Sequence, residues 1–302
     1  MLSVSQVDRV RLHLQVPKGI YWPMETQFTE LAHLHGTKPQ KVLGNKALVG
    51  RWIELIVDGE RLRISLCRQY GRRWIEYQFT GAIDVRKFEE RLVLLWEATL
   101  CHAIVYGTVK RLEFAVDFAG RHTSAFLFHR LGAKTSKVMT NAAKNGTSYY
   151  VGSRQSSAQF IAYDKGQELA DKQGLKHGPA LLRLEARLLN RKESLAAIAQ
   201  ALENGSERPF ENVRVIPMAA AKALKSNVAQ WHHFIDRAAA VGVPRALAES
   251  PSRKTFLTYL EKIATPMVST PGPALVGWMS KLLPMDLLWI TANSFQLTDH
   301  FA

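Results

Sequence analysis

The sequence predicts an α+β fold, in which a central, mostly antiparallel sheet with packed helices is followed by a helical C-terminal region. The first observation is alternation: Val10 to Val16, Trp52 to Val57, Leu62 to Leu66 and Trp74 to Phe79 alternate apolar with polar residues, as strands with one buried face do. The Asp58-Gly59 pair between the second and third runs is a hairpin signal. Next, Val85 to Leu100 changes to helical spacing, with Phe88, Leu92, Leu95 and Trp96 on one side and Lys87, Glu90 and Arg91 on the other. Finally, from about Lys192 the chain turns alanine-rich and proline-punctuated.

Between these regions, Val109 to Phe118 reads as a strand and Ser124 to Leu131 as a helix. Thr147 to Val151, Gln159 to Tyr163 and Leu181 to Leu188 read as further strands. The later part offers helices at Glu193 to Leu202, Ala219 to Ala240, Lys254 to Ile263 and Leu275 to Leu283. A boundary is expected at 191/192, with an α/β domain before it and a helical region, 192–302, after it.

With 302 residues and 47% hydrophobic content, the chain can bury a substantial core. A net charge of +14 points to a polyanionic partner, because surplus Lys and Arg displace counterions from phosphates. Only Cys67 and Cys101 occur, which excludes a disulfide framework and Cys-rich zinc modules and fits a reducing cytoplasm. Asp8, Arg9 and Arg11 interrupt the N-terminus before a signal peptide can develop, and Lys281, Pro284 and Asp286 break the most apolar C-terminal run. A soluble intracellular protein with no membrane partner is expected.

The chemistry concentrates on three segments. In RLEFAVDF, strand alternation sends Glu113, Ala115 and Asp117 to one face and Leu112, Phe114, Val116 and Phe118 to the other. LRLEAR repeats the arrangement with Arg183, Glu185 and Arg187. Side by side the two strands would share a polar face, and its carboxylates suit a hard cation such as Mg²⁺ or Mn²⁺. Glu113 and Asp117 lie about 13 Å apart on an extended strand, so both cannot readily hold one ion. One of them would join Glu185, while the other orients a ligand or binds Arg111 or Arg183.

Between these strands, FIAYDKGQE places Tyr163 at the end of an apolar run, beside Asp164 and Lys165. A phenol of ordinary pKa about 10 needs a nearby cation to act as a nucleophile near neutrality. Lys165 lies two residues on, on the same face if the strand continues. Tyr149 and Tyr150 are competitors, one of which must be packed because neighbouring strand residues face opposite ways.

The series RLEFAVDF, TSYYVGSRQS-x-x-FIAYDKGQE and LRLEAR resembles the replication initiator family of rolling-circle plasmids and filamentous phages. The resemblance covers Arg111 to Arg187. It implies that Tyr163 is the DNA-linking nucleophile, with Arg154, Lys165 and Glu168 at the flanking positions and Glu113, Asp117 and Glu185 around a divalent metal. Glu113 stands where aspartate is more usual, and Ala162 where a bulkier residue is. The function it implies is that of a site-specific endonuclease and strand transferase. Residues 1–191 would nick and rejoin one strand at a plasmid or phage origin in a bacterial host, through a 5′-phosphotyrosine. Arg111, Arg183 and Arg187 would contact DNA, the free 3′-hydroxyl would prime a host polymerase, and residues 192–302 would recognise duplex origin DNA or form a homodimer. Candidate contacts there are Arg214, Lys222, Lys225, Trp231, Arg237, Arg245, Arg253 and Lys254.

Two alternatives remain open. One is a non-catalytic basic DNA-binding regulator. The other is a His-hydrophobe-His tyrosine nuclease, suggested by His33-Leu34-His35, although the preceding Thr29-Glu30-Leu31-Ala32 favours a helix end there. His232-His233 sits in an amphipathic helical run and reads as surface or packing. No Gly-x-x-x-x-Gly-Lys loop occurs, so helicase activity must come from a host partner.

Overall fold

The computed structural model describes residues 6–34, 36–42, 48–57, 60–80, 94–141, 146–153, 157–175, 177–224, 230–267 and 271–279. By its contacts the chain divides into two compact units that alternate along the sequence. One takes in Gln6–Leu112, Asn190–Glu207 and the chain from Pro271; the other takes in Glu113–Leu189 and Arg208–Thr270. The division by composition at 191/192 is therefore not the division by contact, because residues 208–270 share a unit with the strands around Tyr163.

In the first unit the strands are β1 (Gln6–Gln15), β2 (Gln40–Lys41), β3 (Val49–Val57), β4 (Glu60–Gln69) and β5 (Arg72–Thr80), in the order β2-β3-β4-β5-β1. Each pairing is antiparallel. Val57 pairs with Glu60, the closing pair of the expected hairpin, whose Asp58 and Gly59 lie outside the described residues. Alternation works as anticipated: Val10, Leu12, Leu62, Ile64, Ile75, Tyr77 and Phe79 are buried, and the intervening residues are polar. Helix α1 (Lys18–Leu34), with Pro23 inside it, was foreseen only at its end, where Thr29 to Ala32 reads as helical. Helix α2 (Leu94–Tyr106) runs past the end of the helical spacing expected at 85–100, of which residues 85–93 lie outside the described residues.

In the second unit, β6 (Thr108–Ala119, entering from the first unit), β7 (Phe126–Arg130), β8 (Ser136–Asn141), β9 (Gly146–Val151), β10 (Ala158–Asp164) and β11 (Leu181–Leu189) supply the strands. The larger sheet has the order β6-β11-β10-β9-β8. Helix α3 (Lys165–Lys172) follows β10 directly. The segment read as a helix at 124–131 is instead a short 3-10 turn, Thr123–Ala125, followed by β7. The reason is tertiary pairing: β7 lies against β12 (Val213–Pro217), with Leu127 opposite Ile216 and His129 opposite Arg214. A run of three apolar residues, Phe126 to Phe128, has no period of its own strong enough to resist such a partner.

Beyond β11 come α4 (Leu195–Glu203) in the first unit, then α5 (Met218–Ala223), α6 (Trp231–Val241), α7 (Val243–Glu249) and α8 (Arg253–Ile263) in the second. Strand β13 (Thr265–Pro266) edges β12, and α9 (Gly272–Met279) returns to the first unit. The single helix expected over 219–240 is two helices, α5 and α6; residues 225–229 between them lie outside the described residues, as does the end of the expected 275–283 helix. Trp231, Phe234, Ile235 and Ala238 repeat at helical spacing and pack with Leu127, Ile216, Phe256 and Leu260 in one apolar cluster. Trp231 is thus core, its indole N–H donating to the Ala221 carbonyl at 2.9 Å, and it is removed from the phosphate-contact candidates.

Candidate active site

Strand register alone gathers the polar face. In the β10 and β11 pair, Tyr163 lies opposite Arg183, Ile161 opposite Glu185 and Gln159 opposite Arg187, so these six side chains share one face. Phe160, Ala162, Leu184 and Ala186 turn the other way into the core. On the far side of β11, Arg183 binds Asp117 and Arg187 binds Glu113. The falling residue numbers on β6 against rising numbers on β11 mean that this pair also runs antiparallel. Arg111 occupies the same face of β6, two positions before Glu113.

Asp117, Arg183, Glu113, Arg187 and Glu185 are all engaged on this face. Arg183 forms a bidentate pair with Asp117, Nε to Oδ1 at 2.6 Å and Nη2 to Oδ2 at 2.7 Å. Arg187 reaches two carboxylates: Nε lies 2.6 Å from Glu113 Oε1, and Nη2 lies 2.7 Å from Glu185 Oε2. The other oxygen of Glu185, Oε1, accepts the Tyr163 hydroxyl at 2.7 Å. Glu113 and Glu185 are both almost fully buried, with side-chain exposures of 2% and 3%. Together with Arg187 they carry one negative charge in a place where an uncompensated charge is costly.

That environment sets the state of the tyrosine. Burial pushes the Tyr163 phenol well above its ordinary value, and the charge of Glu185 and the hydrogen bond to it add to the shift, while Arg183 opposes it. The phenol is therefore a protonated donor whose acceptor, Glu185, is already in place. Lys165 does not extend the strand face, because β10 stops at Asp164 and Lys165 opens α3. Its Nζ lies 5.9 Å from the centre of the Tyr163 ring and 2.8 Å from Glu168 Oε2. Burial raises the Glu168 carboxyl, but hydrogen bonds from Lys165 and Lys172 outweigh it and bring it to about 2. Arg154 lies outside the described residues.

Of the competing tyrosines, Tyr149 is packed on the opposite face, 4% exposed, with its hydroxyl on the Ala239 carbonyl at 3.3 Å. Tyr150 lies opposite Ile161 and so shares the face of Tyr163. His33 sits in the last turn of α1 and His35 lies outside the described residues; His232 and His233 are exposed in the first turn of α6.

Two features that hold the tyrosine escaped sequence reasoning. The Asp164 carboxylate, on the face away from Tyr163, accepts from the backbone N–H of Thr123 at 2.8 Å, from the Thr123 hydroxyl and from the N–H of Thr147 at 3.2 Å. It ties the end of β10 to the 3-10 turn and to β9. Next to it, Gly166 meets the Gly178-Pro179 segment so closely that a Cβ at 166 would stand 1.8 Å from the Pro179 carbonyl oxygen. A Cβ at 178 would stand 1.9 Å from the Gly166 oxygen. The signal was present as Lys-Gly directly after Tyr-Asp and as Gly-Pro twelve residues later, but only the crossing gives it meaning.

Among the described residues no three His, Cys, Asp or Glu side chains converge as a metal centre. Glu113 and Glu185 both bind Arg187, which brings these two carboxylates to one guanidinium. A pair of oxygen donors fits Mg²⁺ or Mn²⁺, ions that take one or two carboxylates and complete their shell with water and substrate phosphate. Asp117, held by Arg183, falls on the other branch foreseen for it, that of an arginine partner.

No curated protein gives a significant match. Among solved structures, the rolling circle replication initiator protein from Geobacillus stearothermophilus is similar over 80% of this chain and 98% of its own, at 14% identity and a TM-score of 0.36. Residues 109–270 match the family described as replication initiation factor. That span is more than half of the chain and contains every strand of the Tyr163 face, and the chain belongs to the replication initiation factor family.

Proposed function

We propose that this initiator nicks and rejoins one DNA strand at a rolling-circle origin of a plasmid or phage, with Tyr163 as the nucleophile. The observation that carries the reading is the 2.7 Å hydrogen bond from the Tyr163 hydroxyl to a buried carboxylate on a face lined by two arginines. As the phenolic oxygen attacks the scissile phosphorus, its proton passes to Glu185 Oε1, so a free phenolate never has to form in the buried site. The bond from phosphorus to the 3′ oxygen breaks, and that oxygen takes a proton from solvent water and leaves as a hydroxyl. The 5′ phosphate stays on Tyr163. Arg183 and Arg187 stabilise the charge that grows on the phosphate oxygens, and Lys165 adds positive potential at the ring. In the reverse step the 3′-hydroxyl attacks the phosphotyrosine and Glu185 returns the proton.

Glu113 and Glu185 would hold a divalent cation. When bound, it supplies positive charge that withdraws density from the phosphate under attack and eases phenol ionisation. Asp117 acts on Arg183, fixing its guanidinium plane. The free 3′-hydroxyl would prime a host polymerase, and a host helicase would open the duplex. The region after 192 would contribute duplex contacts or a dimer interface, with the exposed Arg253 and Lys254 at the start of α8 as candidates. Incubating the protein with supercoiled origin plasmid and Mg²⁺ tests the reading. It predicts an open circle with protein on the 5′ end; binding without any nick would leave a DNA-binding regulator instead.

A further inference from the structure

The first unit carries a surface to which the family match assigns nothing, since residues 6–80 precede the matched span. The face of its sheet opposite the core can be read row by row from the register. Gln15, Trp74 and Cys67 form one row, and His13, Glu76, Ser65 and Trp52 the next. Arg11, Gln78, Arg63 and Glu54 form a third, and Arg9, Thr80, Arg61 and Ile56 a fourth. Four arginines thus meet two glutamates, and both glutamates are shared out: Glu76 with Arg11 at 2.6 Å, Glu54 with Arg63 at 3.2 Å and with Arg61 at 3.8 Å. The face keeps a positive surplus, and its arginine side chains reach solvent, Arg11 at 43%, Arg61 at 59% and Arg63 at 37% exposure.

The two indoles are arranged as flat platforms. Arg63 lies over the Trp52 ring at 4.1 Å, and His13 stacks on Trp74 at 5.3 Å with 15° between the planes. Burial, with Lys110 and Arg11 nearby, lowers the His13 pKa to about 4, so this second stack is uncharged near neutrality. Planar rings interleaved with guanidinium groups on an open antiparallel sheet suit a chain of phosphates with accessible base faces. In a duplex those faces are covered by stacking.

We propose that this sheet face binds single-stranded DNA, bases stacking at Trp52 and Trp74 and phosphates running along Arg9, Arg11, Arg61 and Arg63. The role fits an initiator that must hold a strand displaced at its origin, but it does not depend on Tyr163 being the nucleophile.

The test is a fluorescence titration of the full chain, without added metal, using an oligothymidylate of about 20 nucleotides and a duplex of equal length as the comparison. A dye on the oligonucleotide or duplex reports binding by its anisotropy, a readout that survives replacement of the tryptophans. Trp52→Ala combined with Trp74→Ala should weaken oligothymidylate binding by about tenfold or more and leave duplex binding within about twofold, while phenylalanine at both positions restores most of the loss. Arg61→Ala, at an exposed site that folding does not need, should lower the slope of log affinity against log salt by about 0.7. Tyr163→Phe should bind the oligonucleotide like the unaltered chain, which separates this surface from the nicking site. Unaltered oligothymidylate binding in the tryptophan and Arg61 variants, or an equal loss for strand and duplex, would overturn the proposal.

Discussion

Tyr163 and Glu185 stand on neighbouring strands one diagonal step apart, and the tyrosine hydroxyl donates to the glutamate at 2.7 Å. Burial and the glutamate raise the phenol's cost of ionising, because a phenolate beside that carboxylate would place two negative charges in a buried site. Proton transfer between them removes the conflict. Glu185→Gln keeps the shape and a hydrogen-bond acceptor but cannot take a proton, so strand cleavage should fall about 10²- to 10⁴-fold with DNA affinity little changed, as single-turnover cleavage of a labelled oligonucleotide would show.

The acidic residues of β6 should separate by role. Glu113→Ala removes one of the two proposed ion ligands and should shift the Mg²⁺ or Mn²⁺ concentration needed for half-maximal cleavage upward. Asp117→Ala leaves Arg183, 7% exposed at its side chain, without its bidentate partner, and should cost about 2 kcal/mol of stability by urea unfolding while that ion requirement stays put.

Gly166 tolerates no Cβ against Pro179. Gly166→Ala should destabilise the protein by about 2 kcal/mol or more and reduce cleavage as well, since the displaced segment includes Lys165 and the end of β10. Thermal melts beside cleavage assays would show whether the two losses travel together.

The sheets were legible in the sequence wherever one face is apolar. Glu113 and Asp117 alternate with Leu112, Phe114 and Val116, and Glu185 alternates with Leu184 and Ala186, so the shared polar face could be read before any pairing was known. What the sequence could not give was who binds whom across strands. The choice of Asp117 over Glu113 as the partner of Arg183 follows from a register set by tertiary packing. So does the strand at Phe126–Arg130, which reads as helix until β12 pairs with it from more than eighty residues away. The start of the proline-bearing helix at Lys18–Leu34 was hidden for a related reason, since Pro23 reads as a break, while its end at Thr29 to Ala32 was legible.

That long-range pairing carries its own prediction. A chain ending near Arg191 loses β12 and the helices that cover Leu127, so it should not unfold cooperatively, in contrast to the full chain. Circular dichroism during urea titration would decide; a sharp transition in the truncated chain would mean that the first 191 residues fold alone.

Two histidines give an acid signature. Burial lowers His13 and His129 to about 4 from an ordinary 6.5, with neighbouring cations adding to the shift in each case. As pH falls from about 6.5 the unfolded chain takes up protons that the folded chain refuses, so stability is full above that range and declines toward pH 4. His129 should contribute roughly 1 kcal/mol or more across the range, and the half-buried His13 less because solvent screens it. The Nδ1 atom of His129 has no hydrogen-bond partner, so His129→Leu should be nearly neutral at pH 7 and flatten the decline.

The most direct test of the central claim is to trap the covalent intermediate on a 5′-extended suicide oligonucleotide of the origin and map the modified peptide by mass spectrometry. Phosphotyrosine is expected at Tyr163, abolished by Tyr163→Phe and retained in Tyr150→Phe, with Tyr163→Phe still binding the origin. An adduct on Tyr150, or one that persists in Tyr163→Phe, would contradict it.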